Sequence, residues 1–211
     1  MSEQLDKEFE SLLEESRALS WKEFGRSITM YLPGMIRCGS ETGLYPAVSI
    51  SGGKCLLNCD HCMGKVLEPM IEAKDEETLL DVCRRIKERN NIGVLLSGGS
   101  GLDGKVGWDR YTDIIRRIKD ETGLHISIHT GILDKDTAYS LKSAGVDQAL
   151  TDVIGSDDTL REVYHLDCGV KKIDETLNAL CEAGITIVPH IVAGIHYGEF
   201  RGEYNAIEIV K

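Results

Sequence analysis

The spacing of apolar residues predicts helices at the start of the chain. Over residues 3–19 the apolar positions near one helix face are Leu5, Phe9, Leu12 and Leu19. A second short helix is predicted to begin at Ser20, because Ser20-Trp21-Lys22-Glu23 has the spacing of a capping box. Its buried side would consist of Trp21, Phe24 and Ile28. Pro33-Gly34 would end it, so residues 1–45 are interpreted as an N-terminal helical extension and residues 46–211 as the main domain.

From residue 46 onward, short apolar runs alternate with amphipathic helical stretches. The predicted strands are residues 46–51, 92–96, 124–129, 146–153 and 185–192. The predicted helices are residues 75–89, 108–120, 134–144, 157–166 and 171–183, with a last helix from about Glu203. Strands separated by helices imply parallel βαβ units, which build either a barrel or a doubly wound sheet.

The third predicted strand decides between these two architectures. Leu124, Ile126 and Ile128 share one face of this strand. The other face carries His125, Ser127 and His129. A sheet covered by helices on both sides should be apolar on both faces. One polar face favours the inside of a barrel that holds a polar ligand, so the sequence predicts an α/β fold with a partial (β/α) barrel.

Composition and charge restrict the class of protein. The 211 residues, 42% of them hydrophobic, suit one soluble globular domain. The net charge of -11 argues against nucleic acid as a partner, since phosphate binding needs clustered Lys and Arg. No apolar run approaches the roughly 20 residues that span a bilayer, and the charged stretch 1–7 does not read as a signal peptide. Seven cysteines, three of them clustered, fit a reducing cytoplasm better than a disulfide framework.

The three clustered cysteines are Cys55, Cys59 and Cys62, which follow a predicted strand and the turn Gly52-Gly53. Thiolates are soft ligands, and a short loop can wrap three of them around one inorganic core. A structural zinc site and an ordinary cubane ferredoxin site each take four protein ligands. Three thiolates leave one iron of a [4Fe-4S] cluster open. The alternatives are a zinc site completed by His61 or a remote ligand, and plain buried thiols.

This spacing, Cys55-x-x-x-Cys59-x-x-Cys62, resembles the cluster loop of the radical S-adenosylmethionine (SAM) enzymes. The resemblance implies a [4Fe-4S] cluster whose open iron binds the amino and carboxylate groups of SAM. It also implies reductive cleavage of SAM to a 5′-deoxyadenosyl radical, which abstracts hydrogen from a substrate. His61 stands where the family usually has an aromatic residue near the adenine.

Two further motifs resemble SAM-binding elements of that family. Ser97-Gly98-Gly99-Ser100 follows the second predicted strand and is similar to a Gly-Gly-Glu element that holds the amino group of SAM, with Ser100 in place of the acid. Ala193-Gly194-Ile195, after the fifth strand, is similar to an element that packs on the adenine, though its spacing is altered. The resemblance therefore implies SAM contacts from Gly98, Gly99, Ser100, Gly194 and Ile195.

Polar residues at other strand ends are candidates for chemistry, because ligands of parallel α/β folds sit at the carboxyl ends of the strands. Asp152 would accept hydrogen bonds from the SAM ribose or from substrate, although an Asp at a strand end is also a common helix cap. His129 and His190 are candidate general acids or bases. The alternative for each histidine is a structural role.

From the first strand onward the sequence most resembles the biotin synthase and lipoyl synthase branch. Ser97-Gly98-Gly99, His129-Thr130-Gly131 and Val188-Pro189-His190 carry this resemblance. It implies sulfur insertion into an unactivated C–H bond, as a component of a two-part, archaeal-type lipoyl synthase. The implied partners are a small-molecule or carrier-protein-bound acyl substrate and a ferredoxin or flavodoxin as electron donor. The alternatives are a radical methylase, mutase or cofactor-maturation enzyme, and a noncatalytic iron–sulfur subunit.

The cysteines outside the motif receive separate interpretations. Cys83 and Cys181 lie on apolar helix faces and are interpreted as small buried residues. Cys168 lies outside any apolar periodicity, and with Cys38 it is a candidate for sulfur chemistry or an auxiliary cluster.

The last predicted strand is expected to lie at an open edge. Barrels of this branch usually have six strands, and only five are predicted before Lys211. An unpaired parallel edge is a pairing and aggregation liability. We therefore expect either a shortened form of a longer chain or a second subunit that covers the opening.

Overall fold

The N-terminal segment is one continuous helix in the computed structural model, which describes residues 2–28, 30, 32 and 34–211. The chain forms two compact units, Met1–Tyr31 and Leu32–Lys211. The first contains α1 (Ser2–Phe24). This helix ends where Gly25 adopts a left-handed conformation and donates its N–H to the Trp21 carbonyl.

The predicted helix start at Ser20 is wrong. No glycine or proline interrupts residues 2–24, so the capping-box pattern lies inside the helix and has no free N–H groups to cap. The predicted burial is also wrong, since the exposed apolar side chains of this segment include Phe9, Leu12, Leu19, Trp21, Phe24 and Ile28. The end predicted at Pro33 falls on a residue outside those described.

The second unit alternates strands with helices. Its elements are β1 (Arg37–Cys38), β2 (Glu41–Thr42), β3 (Ala47–Ser49), β4 (Ile71–Glu72), α2 (Glu76–Glu88), β5 (Gly93–Ser97), α3 (Thr112–Thr122), β6 (His125–His129), α4 (Lys135–Ser143), β7 (Gln148–Asp152), α5 (Asp157–Glu162), α6 (Val170–Ala183), β8 (Thr186–His190) and α7 (Glu203–Val210). Side chains cap the N-termini of α2, α4 and α5, where Asp75, Asp134 and Ser156 accept backbone N–H groups. Of the helices in the described part of the chain, none is both long enough and apolar enough to span a membrane.

Within the described residues, the main sheet has six parallel strands in the order β4-β3-β5-β6-β7-β8. Strand β3 pairs with β5, and from β5 to β8 each strand pairs with the next one along the chain. This is the order of a barrel wall and not of a doubly wound sheet. The order thus agrees with the α/β fold with a partial (β/α) barrel expected from the sequence. The expectation of only five strands is wrong, because the two-residue strand β4 adds to the outer edge of β3. Two residues are too few to produce a detectable alternation.

The two faces of the sheet differ in polarity, as the third predicted strand indicated. Alternate residues of the strands, including Val48, Val94, Ile126 and Ile128, pack with α2, α3, α4 and α6 in the main apolar core. The other face carries polar side chains. There the Ser127 hydroxyl lies 2.7 Å from the Tyr45 hydroxyl and donates to Gln148 Oε1 at 3.0 Å. The helices therefore cover one face and leave the inner face for a polar ligand.

Strand β8 lies at an edge of the sheet and is less buried than the strands beside it. Its residues are exposed or half-buried, and Ile191 and Val192, just after it, are exposed. Across the carboxyl ends of the strands, a second apolar cluster joins α5 and α6 to the cysteine motif. This cluster forms one wall of the candidate site.

Candidate active site

A cavity of about 420 Å³ opens at the carboxyl ends of the parallel strands. Its walls include the three motif cysteines, His61, Gly98, Gly99, Ser100, His129 and Asp152. Apolar side chains line the remainder, among them Ile132, Ile154, Leu160, Leu166 and Ile173. The fold thus gathers most of the sequence-predicted site residues around one space.

Residues 50–64, called here the cluster loop, connect β3 to this cavity. Cys59 is buried, while Cys55 and Cys62 are partly exposed. The loop is held to the end of β5, where the Leu56 N–H donates to the Ser100 carbonyl at 2.9 Å. The Ser51 hydroxyl accepts the Gly99 N–H at 2.7 Å. These bonds within the chain hold the cluster loop beside the glycine turn without the help of a ligand.

Gly99 is required by close packing against the cluster loop. A Cβ atom at this position would lie 2.0 Å from the Lys54 carbonyl oxygen and 2.6 Å from Cys55 Cα. Backbone atoms cannot yield at such distances without moving the loop. The glycine therefore has a packing reason that the sequence-based interpretation, which assigned it to SAM, did not include.

The Cys59 thiol is affected by its surroundings. Its pKa is raised to about 12, mainly by burial and to a smaller extent by the neighbouring Cys62 and Cys55. A cationic core bound by the three cysteines would favour the thiolate form. In the described ranges, no group of three His, Cys, Asp or Glu side chains is placed to hold a single metal ion.

Polar side chains at the ends of neighbouring strands form what we call the strand-end array: Ser97, His129, Asp152 and His190. The first three of them line the cavity. His129 Nδ1 lies 3.3 Å from the Ser97 hydroxyl. The His129 and His190 rings meet edge to face at 5.9 Å, and His190 Nδ1 lies 3.7 Å from Asp152 Oδ1. The register of β7 and β8, which pairs Asp152 with His190, brings these two together.

The surroundings shift the pKa values of His129 and His190 in opposite directions. Desolvation lowers the pKa of His129, and the Asp152 carboxylate only partly offsets this effect. The same carboxylate raises the pKa of the half-exposed His190 imidazole. A neutral and a more readily protonated imidazole thus lie side by side, an arrangement suited to proton transfer.

Some predicted site residues do not line the cavity. His190 lies behind the wall, in contact with His129 and Asp152. Ile195 packs against the second apolar cluster, and the Gly194 N–H donates to Glu203 Oε1 at 2.7 Å. Cys168 packs against the same cluster and is absent from the lining residues in the described chain. Burial raises the pKa of its thiol.

The other cysteines divide differently from the sequence-based interpretation. Cys83 is fully buried on α2, as predicted. Cys181 is exposed, so its predicted burial is wrong, because the buried face of α6 passes through Ala179, Leu180 and Ala183. Cys38 is exposed on β1.

Two residues of the site, Tyr164 and Thr130, received no role in the sequence-based interpretation. The Tyr164 ring lies 4.7 Å from that of His61, and burial raises the pKa of its hydroxyl. The Thr130 hydroxyl lies in the cavity wall, is fully buried, and has no hydrogen-bond partner among the described residues. The buried Glu203 lies at the predicted start of the last helix. It begins α7 and binds the Gly194 N–H.

Comparison with known families decides the identity of this site. The model of the radical SAM superfamily matches residues 49–203, which include the whole cysteine motif and both glycine elements. The chain belongs to the radical SAM superfamily. Membership implies a [4Fe-4S] cluster and SAM as cofactors, and an enzyme as the class of protein.

Curated relatives of this radical SAM chain are biotin synthases. The protein from Geotalea daltonii (strain DSM 22248 / JCM 15807 / FRC-32) is 33% identical over 116 residues, which cover 52% of this chain and 35% of the relative. The biotin synthase of Clostridioides difficile (strain 630) is 27% identical over 182 residues, which cover 81% of this chain and 54% of the relative. The chain therefore spans about half or less of the length of the relatives it matches.

Solved structures support the fold. Methylornithine synthase (PylB) superposes with a TM-score of 0.60 at 17% identity, over 88% of this chain and 51% of that one. The FeFe-hydrogenase maturase HydG from Carboxydothermus hydrogenoformans gives 0.60 at 19% identity, over 78% and 39%. At these identities the likeness concerns architecture alone.

The residues present fit the cofactors of the superfamily. Three thiols that lie on one loop and line one cavity match a cluster with one open iron. Gly98, Gly99 and Ser100 line the same cavity beside them. The unpartnered Thr130 hydroxyl supplies a polar atom that a bound ligand would satisfy.

Proposed function

We propose that this chain cleaves SAM reductively and inserts sulfur into an unactivated C–H bond of an acyl substrate, as one component of a two-part lipoyl synthase. When bound, the cluster and SAM together supply a radical able to abstract hydrogen. Cys55, Cys59 and Cys62 hold the cluster, and Gly98, Gly99 and Ser100 position SAM. We assign this machinery to residues 46–211, with residues 1–45 as a helical extension.

The observation that carries this proposal is one cavity lined both by the three motif cysteines and by Ser97, His129 and Asp152 of the strand-end array. A noncatalytic iron–sulfur subunit would not need such a space. Asp152 binds the SAM ribose or substrate, and His61 and Ile195 pack near the adenine. The His129 imidazole, whose pKa is lowered by desolvation, serves as a proton acceptor in the cavity wall, and the Asp152 carboxylate raises the pKa of His190 beside it.

Anaerobic reconstitution tests the proposal. The purified chain should bind about four irons, and dithionite with SAM should yield 5′-deoxyadenosine. Tight zinc binding without iron chemistry would contradict it. A Gly53→Ala variant is a suitable control, because a Cβ there meets no atom within 4 Å.

The sulfur-insertion step is tested at Cys168. If Cys168 takes part in it, Cys168→Ala should stop product formation from an octanoylated carrier while SAM cleavage persists. Cys181→Ala is the matched control, since that thiol is exposed and lies outside the cavity wall. Equal product formation by the two variants would show that Cys168 only packs.

A second candidate function is a radical reaction that needs no second sulfur source, such as that of a methylase, mutase or cofactor-maturation enzyme. Among the described residues, the cysteines lining the cavity are those of the cluster loop, and Cys168 and Cys38 lie elsewhere. This placement favours a reaction in which the chain itself supplies no sulfur. Sulfur in the product separates the two candidates.

The proposed partners follow from this chemistry. An electron donor is needed, and we propose a ferredoxin or flavodoxin in a reducing cytoplasm, where the seven free cysteines would persist. We propose that a second subunit covers the edge of β8 and brings further ligands. Sizing the protein alone and with a candidate subunit tests this, and full activity of an isolated monomer would contradict it.

A further inference from the structure

Asp60 lies inside the cysteine motif and is held from two sides by other segments of the chain. Its Oδ2 atom accepts the Tyr197 hydroxyl at 2.6 Å. Its Oδ1 atom lies 3.0 Å from His165 Nε2. We propose that Asp60, His165 and Tyr197, called here the Asp60 latch, position the cluster loop against the segment that follows β8. The inference rests on the proposed function in one respect, namely that the three thiols bind the cluster.

The His165 side of the latch holds the cluster loop along its length. His165 Nδ1 donates to the Leu57 carbonyl at 2.9 Å while Nε2 faces Asp60. The carbonyl and the carboxylate can only accept, so the His165 ring is placed to donate to the cluster loop at both positions. The neighbouring Val163 carbonyl accepts the Asp60 N–H at 2.9 Å, and the Tyr164 carbonyl lies 3.5 Å from the Cys59 thiol.

The Tyr197 side connects the same carboxylate to the segment after β8. The Gly194 N–H bonds to the buried Glu203, and the buried His196 ring lies 3.1 Å from the Thr159 hydroxyl. These two anchors, which lie just before Tyr197 in the chain, hold its position. A short bond from a hydroxyl to a carboxylate is stronger than one between neutral groups. The bond therefore couples the position of the cluster loop to that of the segment after β8.

Backbone strain at two residues of the Asp60 latch supports the view that their geometry is selected. Tyr197 has a φ of 52° and His165 a φ of 57°. Residues with a bulky side chain rarely adopt this left-handed region and hold it only where the surroundings compensate. Both strained residues direct their side chains at the one carboxylate of Asp60.

The latch acts locally. The side chains of Asp60 and His165 are 45% and 41% exposed, and Tyr197 is 63% exposed. Exposed pairs of this kind contribute little to global stability. Breaking the latch should therefore loosen both the cluster loop and the segment that follows β8. The melting temperature of the fold should stay unchanged.

Tyr197→Phe removes a single hydroxyl and is the decisive variant. In the reconstituted protein we expect iron release to a chelator to become about ten-fold faster, in the range known for residues that orient metal ligands. The change that SAM causes in the electron paramagnetic resonance spectrum of the reduced cluster should also become smaller. Tyr204→Phe is the matched control, because that tyrosine is exposed on α7 and makes no hydrogen bond in the described structure.

Asp60→Ala tests whether the residues act as one unit, because it removes the carboxylate that accepts the Tyr197 hydroxyl. Its effect on iron release should not add to that of Tyr197→Phe in the double variant, since either change breaks the same link. Additive effects would overturn the proposal. So would iron release from Tyr197→Phe equal to that from Tyr204→Phe, or a lowered melting temperature without a change in iron release.

A measurement without the cluster separates this inference from the proposed function. Hydrogen exchange of the metal-free chain should show faster exchange of the amides of residues 57–63 in Tyr197→Phe than in Tyr204→Phe. If wild-type protein binds no iron, the proposed function fails, and this comparison still decides the latch. Equal exchange in the two variants would overturn it.

Discussion

The two walls of the cavity are built in different ways. The cluster loop carries its three acting residues within eight positions and is held mainly by backbone bonds to the ends of β5 and α5. The strand-end array takes one side chain from each of four strands, and its members act on one another through their charges. The geometry of the cluster loop is therefore fixed before a ligand binds. The charges of the strand-end array respond to the ligand that binds.

This difference suits two kinds of ligand. An inorganic cluster has a fixed size, so its ligands gain from a rigid loop. A reacting substrate changes charge, so the groups near it gain from pKa values that neighbours can shift. Variants of the cluster loop should therefore bind less cofactor. Variants of the strand-end array should instead change the pKa values of its histidines.

The largest expected effect is at Cys59. Cys59→Ala removes one of three thiolates, so iron should fall from about four per chain to near zero. SAM cleavage should drop by more than about 100-fold, since even groups that merely orient a ligand are worth roughly 10- to 100-fold. Iron analysis and 5′-deoxyadenosine formation measure this. Cys181→Ala, which removes an exposed thiol, should keep both. Full iron retention by Cys59→Ala would contradict the assignment.

An intermediate effect is expected at Gly99, where the cluster-loop wall meets β5. Gly99→Ala forces a Cβ against the backbone of Lys54 and Cys55. The free energy of unfolding should fall by about 2–3 kcal/mol, and reconstitution should yield less cluster. Denaturant unfolding of the two glycine variants measures this, with Gly53→Ala as the control that meets open space. Equal stability of the two variants would show that the loop yields freely.

The smallest effect is a titration in the strand-end array. Asp152→Asn removes the carboxylate that raises the pKa of His190, so this pKa should fall towards its ordinary value. The raised pKa means that the pair stabilises the fold at low pH and that this contribution is lost as pH rises through the folded-state pKa of His190. Because both side chains are partly exposed, the stability change should stay below about 1 kcal/mol.

Nuclear magnetic resonance of the imidazole protons measures this pKa directly. His125 at the other end of β6 serves as an internal reference in the same spectra, because its contacts are with Tyr45 and not with Asp152. An unchanged His190 titration in Asp152→Asn would mean that the array does not couple its charges.

Local patterns predicted most of the elements. The five main strands were found because each has several residues and a clear boundary, and the polar face of β6 was visible in three alternate positions. The capping-box pattern at Ser20 gave a wrong prediction, because four residues cannot show whether a helix has already begun. The strand β4 was missed because two residues produce no period.

The sequence by itself determined the cluster motif and the family, because ligands on one short loop keep their relation in any tertiary context. The placement of Cys168, the exposure of Cys181 and the packing reason for Gly99 were decided only by tertiary structure, since each depends on a segment remote in the chain. The same holds for the Asp60 latch, whose three residues are separated by up to 137 positions. Sequence spacing carries no information about contacts at that range, where the register of the strands and the paths of the loops bring side chains together.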